Sequence, residues 1–332
     1  MMNEIKSVLV TGGCGYVGTK LVPELLGSGY RVYVLDWMIY GNYLPFNRKL
    51  SCYNIDLRKF DEVRDIIKRI RPDAVIDLAS ISNDPMGDLE PSLTRAVNID
   101  AQKNLIDASI KNKLKRFIFA SSSSVYGVND DPDITEETPL APVSLYSETK
   151  AIIESYLKTK TSDEFVTVSI RPATVCGYSP RQRLDLIVNL LTFKGYYEGK
   201  IVIEGGERVR PHIHIDDMVD AYMALLAADS EKINGKTYNC GAETMSLMEL
   251  GEMVKSYVKC DIKTAVGPDK RSHSLNSELI KKELGFSFTR NVENAIQDLI
   301  FAFENYLIDK DNPELFNMAW YKTQIKNGKI VL

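Results

Sequence analysis

The stretch Ser7-Val8-Leu9-Val10-Thr11-Gly12-Gly13-Cys14-Gly15-Tyr16-Val17-Gly18 lies near the start of a 332-residue chain. Its short apolar run reads as a buried strand, and the glycines that follow mark a strand-to-helix turn. Gly12 and Gly15 let the chain turn tightly and bring backbone N–H groups close to a pyrophosphate, which the partial positive charge of a helix N-terminus favours. Tyr16 and Val17 sit at the entrance of that helix, and Gly18 lets it pack on the sheet. Eighteen residues past Gly18, a second strand pattern ends in Val34-Leu35-Asp36. A carboxylate there accepts hydrogen bonds from both hydroxyls of an adenosine ribose and repels a 2′-phosphate, so the spacing predicts a site for NAD rather than NADP.

Outward from this unit, short β-branched runs alternate with longer helical patterns as far as Arg171, as parallel βαβ units do. Strands are expected at Ser7 to Val10, Arg31 to Leu35, Ser51 to Ile55, Ala74 to Leu78, Arg116 to Ala120 and Phe165 to Ile170. Helices around Val17 to Leu26, Asp61 to Ile70, Ser92 to Lys111 and Tyr146 to Lys158 would cover the sheet. The expected class is α/β, with a Rossmann-type doubly wound parallel sheet in residues 1–173. Strands then become sparse, and helical stretches at Leu184 to Tyr196, Asp216 to Ala228, Leu247 to Val258 and Val292 to Tyr306 dominate. These predict a smaller mixed α/β substrate lobe over 174–310, with some chain crossing between the lobes, and a tail at 311–332.

A hydrophobic content of 44% can bury a large core. The 41 basic and 45 acidic side chains are interspersed and leave a formal charge of −4, which offers no footprint for nucleic acid or an anionic membrane. Five scattered cysteines without a C-x-x-C pair argue against a disulfide framework or a zinc site. His212 and His214 alternate as on a strand and read as structural, so no metal is expected. No run approaches the ~18 apolar residues of a membrane span. The expectation is a soluble, cytoplasmic protein.

Ser121 to Ser124 follow the apolar strand Phe117 to Ala120 and fall at a carboxyl end, where ligands gather. Tyr146-Ser147-Glu148-Thr149-Lys150 then opens a helix, and the i, i+4 spacing puts phenol and ammonium on one face. A tyrosine acting as a base near neutral pH needs its pKa lowered by about 3 units from its reference value near 10. A neighbouring lysine cation, together with a nicotinamide ring, would favour the phenolate, and a serine hydroxyl would orient the substrate hydroxyl.

The ordered set TGGCGYVG, VLD, Asp56-Leu57, Leu78-Ala79-Ser80, Asn98, SSSSVYG, YSETK, RPATVCG and RPHIHIDD resembles the extended short-chain dehydrogenase/reductases, in particular the nucleotide-sugar epimerase/dehydratase group. The resemblance runs from about Ser7 to Glu304. It implies Ser122, Tyr146 and Lys150 as catalytic residues, with Lys150 also holding the nicotinamide ribose. It further implies Asp56 and Leu57 at the adenine, Leu78, Ala79 and Ser80 beside the cofactor, and Asn98 close to the lysine. For a nucleotide-diphosphate sugar it implies contacts from Ser82, Ser122, Ser123, Thr174, Asn189 and Arg210, and Arg271, in Asp269-Lys270-Arg271, reads as a second phosphate clamp. The segment from Ser80 to Leu89 should line the sugar pocket.

Relatives that dehydrate sugars carry Asp and Glu directly after the catalytic hydroxyl, where this chain has Ser123 and Ser124. A hydroxyl replaces neither a carboxylic acid nor a carboxylate at neutral pH, so 4,6-dehydration is disfavoured. The expected activity is that of a nucleotide-sugar 4-epimerase working through a transient 4-keto sugar. A 4-dehydrogenase that releases the keto product is the alternative, and a non-catalytic NAD-binding sensor is a third class. The resemblance also implies a homodimer, with Leu105, Ile152, Ile153 and Tyr156 offering an apolar face.

Overall fold

The structure is a computed structural model that describes residues 5–129, 131–267 and 272–331. The strands of the first half are β1 (Ser7–Thr11), β2 (Arg31–Asp36), β3 (Leu50–Asn54), β4 (Ala74–Asp77), β5 (Arg116–Ala120) and β6 (Val166–Pro172), and those of the second are β7 (Thr174–Cys176), β8 (Lys200–Glu204), β9 (Val209–His214), β10 (Lys236–Cys240), β11 (Glu243–Ser246) and β12 (Asp261–Ala265). The main helices are α1 (Gly18–Gly27), α2 (Phe60–Ile70), α3 (Gln102–Lys111), α4 (Leu145–Lys160), α5 (Ile187–Glu198), α6 (Ile215–Ala227), α7 (Leu247–Tyr257), α8 (Glu278–Leu284), α9 (Val292–Glu304) and α10 (Asn317–Lys326).

Seven parallel strands form the main sheet in the order β10-β6-β5-β4-β1-β2-β3. The order reverses at β1, which creates the crevice between β1 and β4 where ligands of doubly wound sheets sit. Side-chain alternation sends Val8, Val10, Val34 and Ile76 to one face against α1 and α6, and Leu9, Leu35, Val75 and Phe117 to the other against α2, α3 and α4. The central strands β1, β4, β5 and β6 are buried on both faces, which explains why their runs read as continuously apolar, whereas the edge strand β3 is largely exposed.

Two expectations need correction. Six strands were anticipated, but β10 is the seventh strand of the main sheet and pairs in parallel with β6. The helix around Asp216 to Ala228 was placed in the second lobe, yet Met218, Ala221, Tyr222 and Leu225 of α6 pack into the core beneath the main sheet. The chain therefore returns to the first lobe after leaving it. What remains as the smaller lobe holds two further sheets, β11-β9-β7 and β12-β8, packed with α5, α7 and α9. Strands were missed there because each is short and belongs to a small sheet.

The apolar face expected between two copies is half used inside one chain. Leu105 and Ile153 are 0% exposed core residues, while Ile152 and Tyr156 pack against that core from its edge, with the Tyr156 hydroxyl on Asp107. No helix among the described residues is long and apolar enough to cross a membrane.

Candidate active site

The carboxyl ends of the main-sheet strands open into one cleft of about 540 Å³, within the size range of small-molecule sites. Its floor is the β1–α1 turn. Gly12 holds φ at +67°, and a Cβ there would lie 2.8 Å from the Ala79 backbone nitrogen, so the turn requires glycine for both reasons. A Cβ on Gly18 would meet the Gly13 carbonyl oxygen at 2.5 Å, so glycine there lets the start of α1 approach the turn that follows β1. These bare backbones beside the start of α1 form a cradle that fits a pyrophosphate.

Gly12, Gly15, Tyr16, Val17, Gly18, Asp36, Asp56, Leu57, Leu78, Ala79 and Ser80 all line the cleft. Asp36 accepts backbone N–H bonds from Cys14 at 2.9 Å and Met38 at 2.6 Å. Burial nevertheless pushes its carboxyl up from the ordinary range, partly offset by those donors and by Arg181. Asp56 is paired with Arg58 at 2.7 Å.

Ser122, Tyr146 and Lys150, the residues expected to be catalytic, line the same cleft. Ser122 ends the chain's exit from β5 in an extended conformation and accepts hydrogen bonds from the Ser124 N–H at 3.2 Å and the Ser124 hydroxyl at 2.8 Å. Ser144 caps α4 through a reciprocal bond pair with Ser147, which fixes the first turn of the helix and so the direction of Tyr146. The Asp84–Gly87 turn lies directly over it, with a Cβ on Gly87 only 3.0 Å from Tyr146 Cβ. One turn on, the buried Lys150 ammonium donates to the Ala120 carbonyl at 2.7 Å and lies 5.6 Å from the Tyr146 ring centre.

The electrostatics differ from expectation. Burial raises the Tyr146 phenol, and contact with Ser122 and the charge of Arg183 only partly lower it. Lys150 is itself pushed down to about 8 by burial, with the Asp77 and Glu154 carboxylates pulling the other way. Buried Asp77 accepts from the Thr11 hydroxyl and is raised to about 6. The protein alone therefore keeps the phenol protonated, because desolvation outweighs the charges around it.

The expected substrate contacts separate into two groups. Ser82, Ser122, Ser123, Thr174 and Arg210 line the cleft, as does the segment from Ser80 to Met86. Asn189 does not: it is fully buried behind the wall, where it donates to the Tyr16 hydroxyl at 3.0 Å and the Arg183 carbonyl at 2.8 Å, and accepts from the Gly177 N–H at 3.0 Å. All its hydrogen-bonding capacity toward that wall is used to hold the segment after β7 against Tyr16. Asn98 is likewise off the cleft; it clamps the Ile81 backbone and reaches Thr149 at 3.3 Å, so it positions the wall and α4 rather than touching a ligand. Arg271 lies outside the described residues.

Sequence reasoning missed several cleft residues. Arg181 and Arg183 are buried in the loop between β7 and α5. Arg181 stacks 4.0 Å over Tyr40, while Arg183 pairs with Asp185 at 2.8 Å and donates to Ser82 at 3.1 Å. His273 approaches the Ser123 hydroxyl at 3.4 Å. The available signal was position: both arginines follow a strand's carboxyl end and precede a helix. Apart from the cleft, His214, Asp216 and Asp298 bring donor atoms within 4.8 Å of one another, but Lys20 at 2.8 Å already neutralises Asp216.

The comparisons with known proteins agree with this geometry. Residues 8–241 match the model of the NAD dependent epimerase/dehydratase family. The chain belongs to that family. NAD is accordingly its cofactor, and the cradle at Gly12 to Gly18 has the bare backbone and helix N-terminus that a pyrophosphate needs. UDP-glucose 4-epimerase of Lactobacillus helveticus is 29% identical over 278 residues, covering 79% of this chain and 84% of that protein. UDP-glucose 4-epimerase of Thermotoga maritima, solved with UDP-glucose, has a TM-score of 0.83 at 25% identity and covers 91% of this chain and 100% of its own. UDP-N-acetylglucosamine 4-epimerase of Methanobrevibacter ruminantium, in complex with UDP-N-acetylmuramic acid, has a TM-score of 0.82 at 26% identity and covers 92% and 100%. This member of the epimerase/dehydratase family thus carries the fold over almost its full length.

Proposed function

We propose that the protein is an NAD-dependent nucleotide-sugar 4-epimerase. The observation that carries this reading is the union of Ser122, Tyr146 and Lys150 in one cleft with hydroxyls, not carboxylates, at positions 123 and 124. Two carboxylates do line this end of the cleft, and both are engaged: Asp84 with Ser144 and Asp185 with Arg183. Both are already committed to protein partners, which favours reversible oxidation over dehydration.

Bound in the cradle, NAD supplies a nicotinamide ring that accepts a hydride from a sugar carbon and can return it. Ser122 orients the sugar's 4-hydroxyl, and Tyr146 takes its proton as the carbon is oxidised. Lys150 and Arg183 place positive charge behind the phenolate. Returning the proton from Tyr146 after the keto sugar has turned its other face yields the 4-epimer. Arg210 and Arg183, both on the cleft wall, supply planar guanidinium donors suited to a diphosphate and to sugar hydroxyls.

Incubation with UDP-, GDP- and dTDP-linked hexoses should convert one of them to its 4-epimer with no net NADH. NADH accumulating in step with product would establish the dehydrogenase instead.

The Lys150 charge sets the alkaline limit. Its pKa in the folded site is about 8, so the ammonium is present below that value and lost as pH rises through it. The rate constant kcat/KM should fall on the alkaline side with a midpoint near this value. Asp77→Asn removes a carboxylate that favours the cation and should shift the limb to lower pH. A profile flat to about pH 10, the range of an ordinary lysine, would remove the ammonium from the mechanism.

A further inference from the structure

The segment 311–331 reads as an uninformative tail in the sequence, but it crosses back over the rim of the cleft. Glu314 accepts from Tyr43 at 2.7 Å, Asn317 accepts from Arg181 at 2.6 Å, and Trp320 donates to the Ile39 carbonyl at 2.5 Å. Further on, the Val331 carbonyl accepts from Arg58 at 2.7 Å. Between these anchors Tyr321, Ile325 and Ile330 pack with Trp37, Ile39, Ile81 and Met86. The segment therefore ties together the loop after β2, the Asp56–Arg58 turn and the wall that follows β4.

It also contributes to the site. Asn317 and Tyr321 line the cleft at the end that holds Asp36, Trp37, Asp56 and Leu57. Two phenol oxygens here, those of Tyr40 and Tyr321, are buried and have no hydrogen-bond partner among the described residues. Buried hydroxyls are ordinarily satisfied, so a pair left open at one end of a ligand cleft points to a polar ligand that completes them.

We propose that residues 311–331 form a strap that completes the adenosine end of the NAD site, with Asn317 and Tyr321 as binding residues, and that retains the cofactor through successive turnovers. This rests on the assignment of the cleft to NAD. Release requires α10 to lift, which exposes the apolar contacts of Tyr321, Ile325 and Ile330 and separates the backbone anchors. Lifting is needed for entry and exit alike, and the contacts that Asn317 and Tyr321 make to bound NAD oppose only exit, so release is slowed more than entry. Slow release suits an epimerase, which regains its hydride in each cycle, and would throttle a dehydrogenase that exchanges cofactor at every turnover.

The test uses the full chain and the double variant Trp320→Ala/Tyr321→Ala. NADH is bound without any sugar, chased with excess NAD, and its release followed by fluorescence. Release should be about ten-fold faster or more in the double variant, with circular dichroism showing an unchanged fold. In the unaltered chain, saturating NAD should slow tryptic cleavage after the exposed Lys322 and Lys326 by about ten-fold, through linkage between binding and closure. Release within about two-fold of the parent in a folded variant, or cleavage indifferent to NAD, overturns the strap. If the variant does not fold, the cleavage experiment on the unaltered chain decides alone. Because no sugar is present, epimer formation with fast release would reject the strap and keep the epimerase, while slow release with net NADH would do the reverse.

Discussion

Replacing Tyr146 by phenylalanine is expected to slow conversion of the sugar by about 10²–10⁴-fold, the usual contribution of a positioned proton-transfer group, while NAD binding is unchanged. In free-energy terms the loss is about 3–5 kcal/mol of transition-state stabilisation. Tyr146 Cβ and backbone keep their place beside the Asp84–Gly87 turn, and Lys150 stays on the Ala120 carbonyl, so the change removes the phenol hydroxyl, with its proton and its bond to Ser122. The raised phenol makes the prediction sharper. In the protein alone burial holds Tyr146 protonated, and the positive charge that frees the proton must come with the bound cofactor. Single-turnover conversion and NAD titration of the same preparation separate the two effects. Turnover within about five-fold of the parent would remove Tyr146 as the base.

The largest expected effect on stability lies elsewhere, in a buried ion pair between α4 and β6. Arg171 on β6 and Glu154 on α4 meet at 2.7 Å, with side chains 6% and 7% exposed. The same guanidinium donates to the Tyr126 hydroxyl at 2.6 Å. Glu154→Ala leaves Arg171 buried without the carboxylate it pairs with, a change that costs about 3–5 kcal/mol. Thermal unfolding should fall by about 5 °C or more. A paired Glu154→Leu/Arg171→Met variant should regain much of the loss, because it removes both charges and keeps apolar volume. A Glu154→Ala melting curve that superimposes on the parent's would show that the charge finds another partner or water.

Much of this was legible in the chain itself. The central strands β1, β4, β5 and β6 are buried on two faces and bounded by turns, so their apolar runs stand out, and the residues at their carboxyl ends fall where the topology gathers ligands. That is why the glycine turn, Asp36, Ser122, Tyr146 and Lys150 could be placed together. The order of motifs did not distinguish a residue that lines the cleft from one that braces its wall. Asn98 and Asn189 match in position, but their amides are spent on backbone and on the Thr149 and Tyr16 hydroxyls behind the cleft. The reverse error applies to Arg181 and Arg183. Charged residues in a loop are usually solvated, and only the fold shows that this loop is drawn inward by Ser179, whose hydroxyl donates to the Tyr16 carbonyl at 2.7 Å and lies 2.8 Å from the Thr19 hydroxyl. The tail was opaque for a related reason. Its few apolar residues acquire meaning only against Trp37, Ile39 and Ile81, which are more than 200 positions away.

The return of β10 and α6 to the main sheet has a consequence for how the chain is made. While the protein emerges from the ribosome, the first 200 residues include six of the seven sheet strands, yet β6 remains an open edge and Val168 and Ile170 lack the cover that Tyr222 and Tyr238 later give. An unpaired edge beside an uncovered apolar face is a template for association with other nascent chains. The NAD-binding half therefore cannot mature ahead of the remainder. Its completion awaits synthesis of Cys240, and the cofactor cradle and the substrate wall are finished in the same cooperative event.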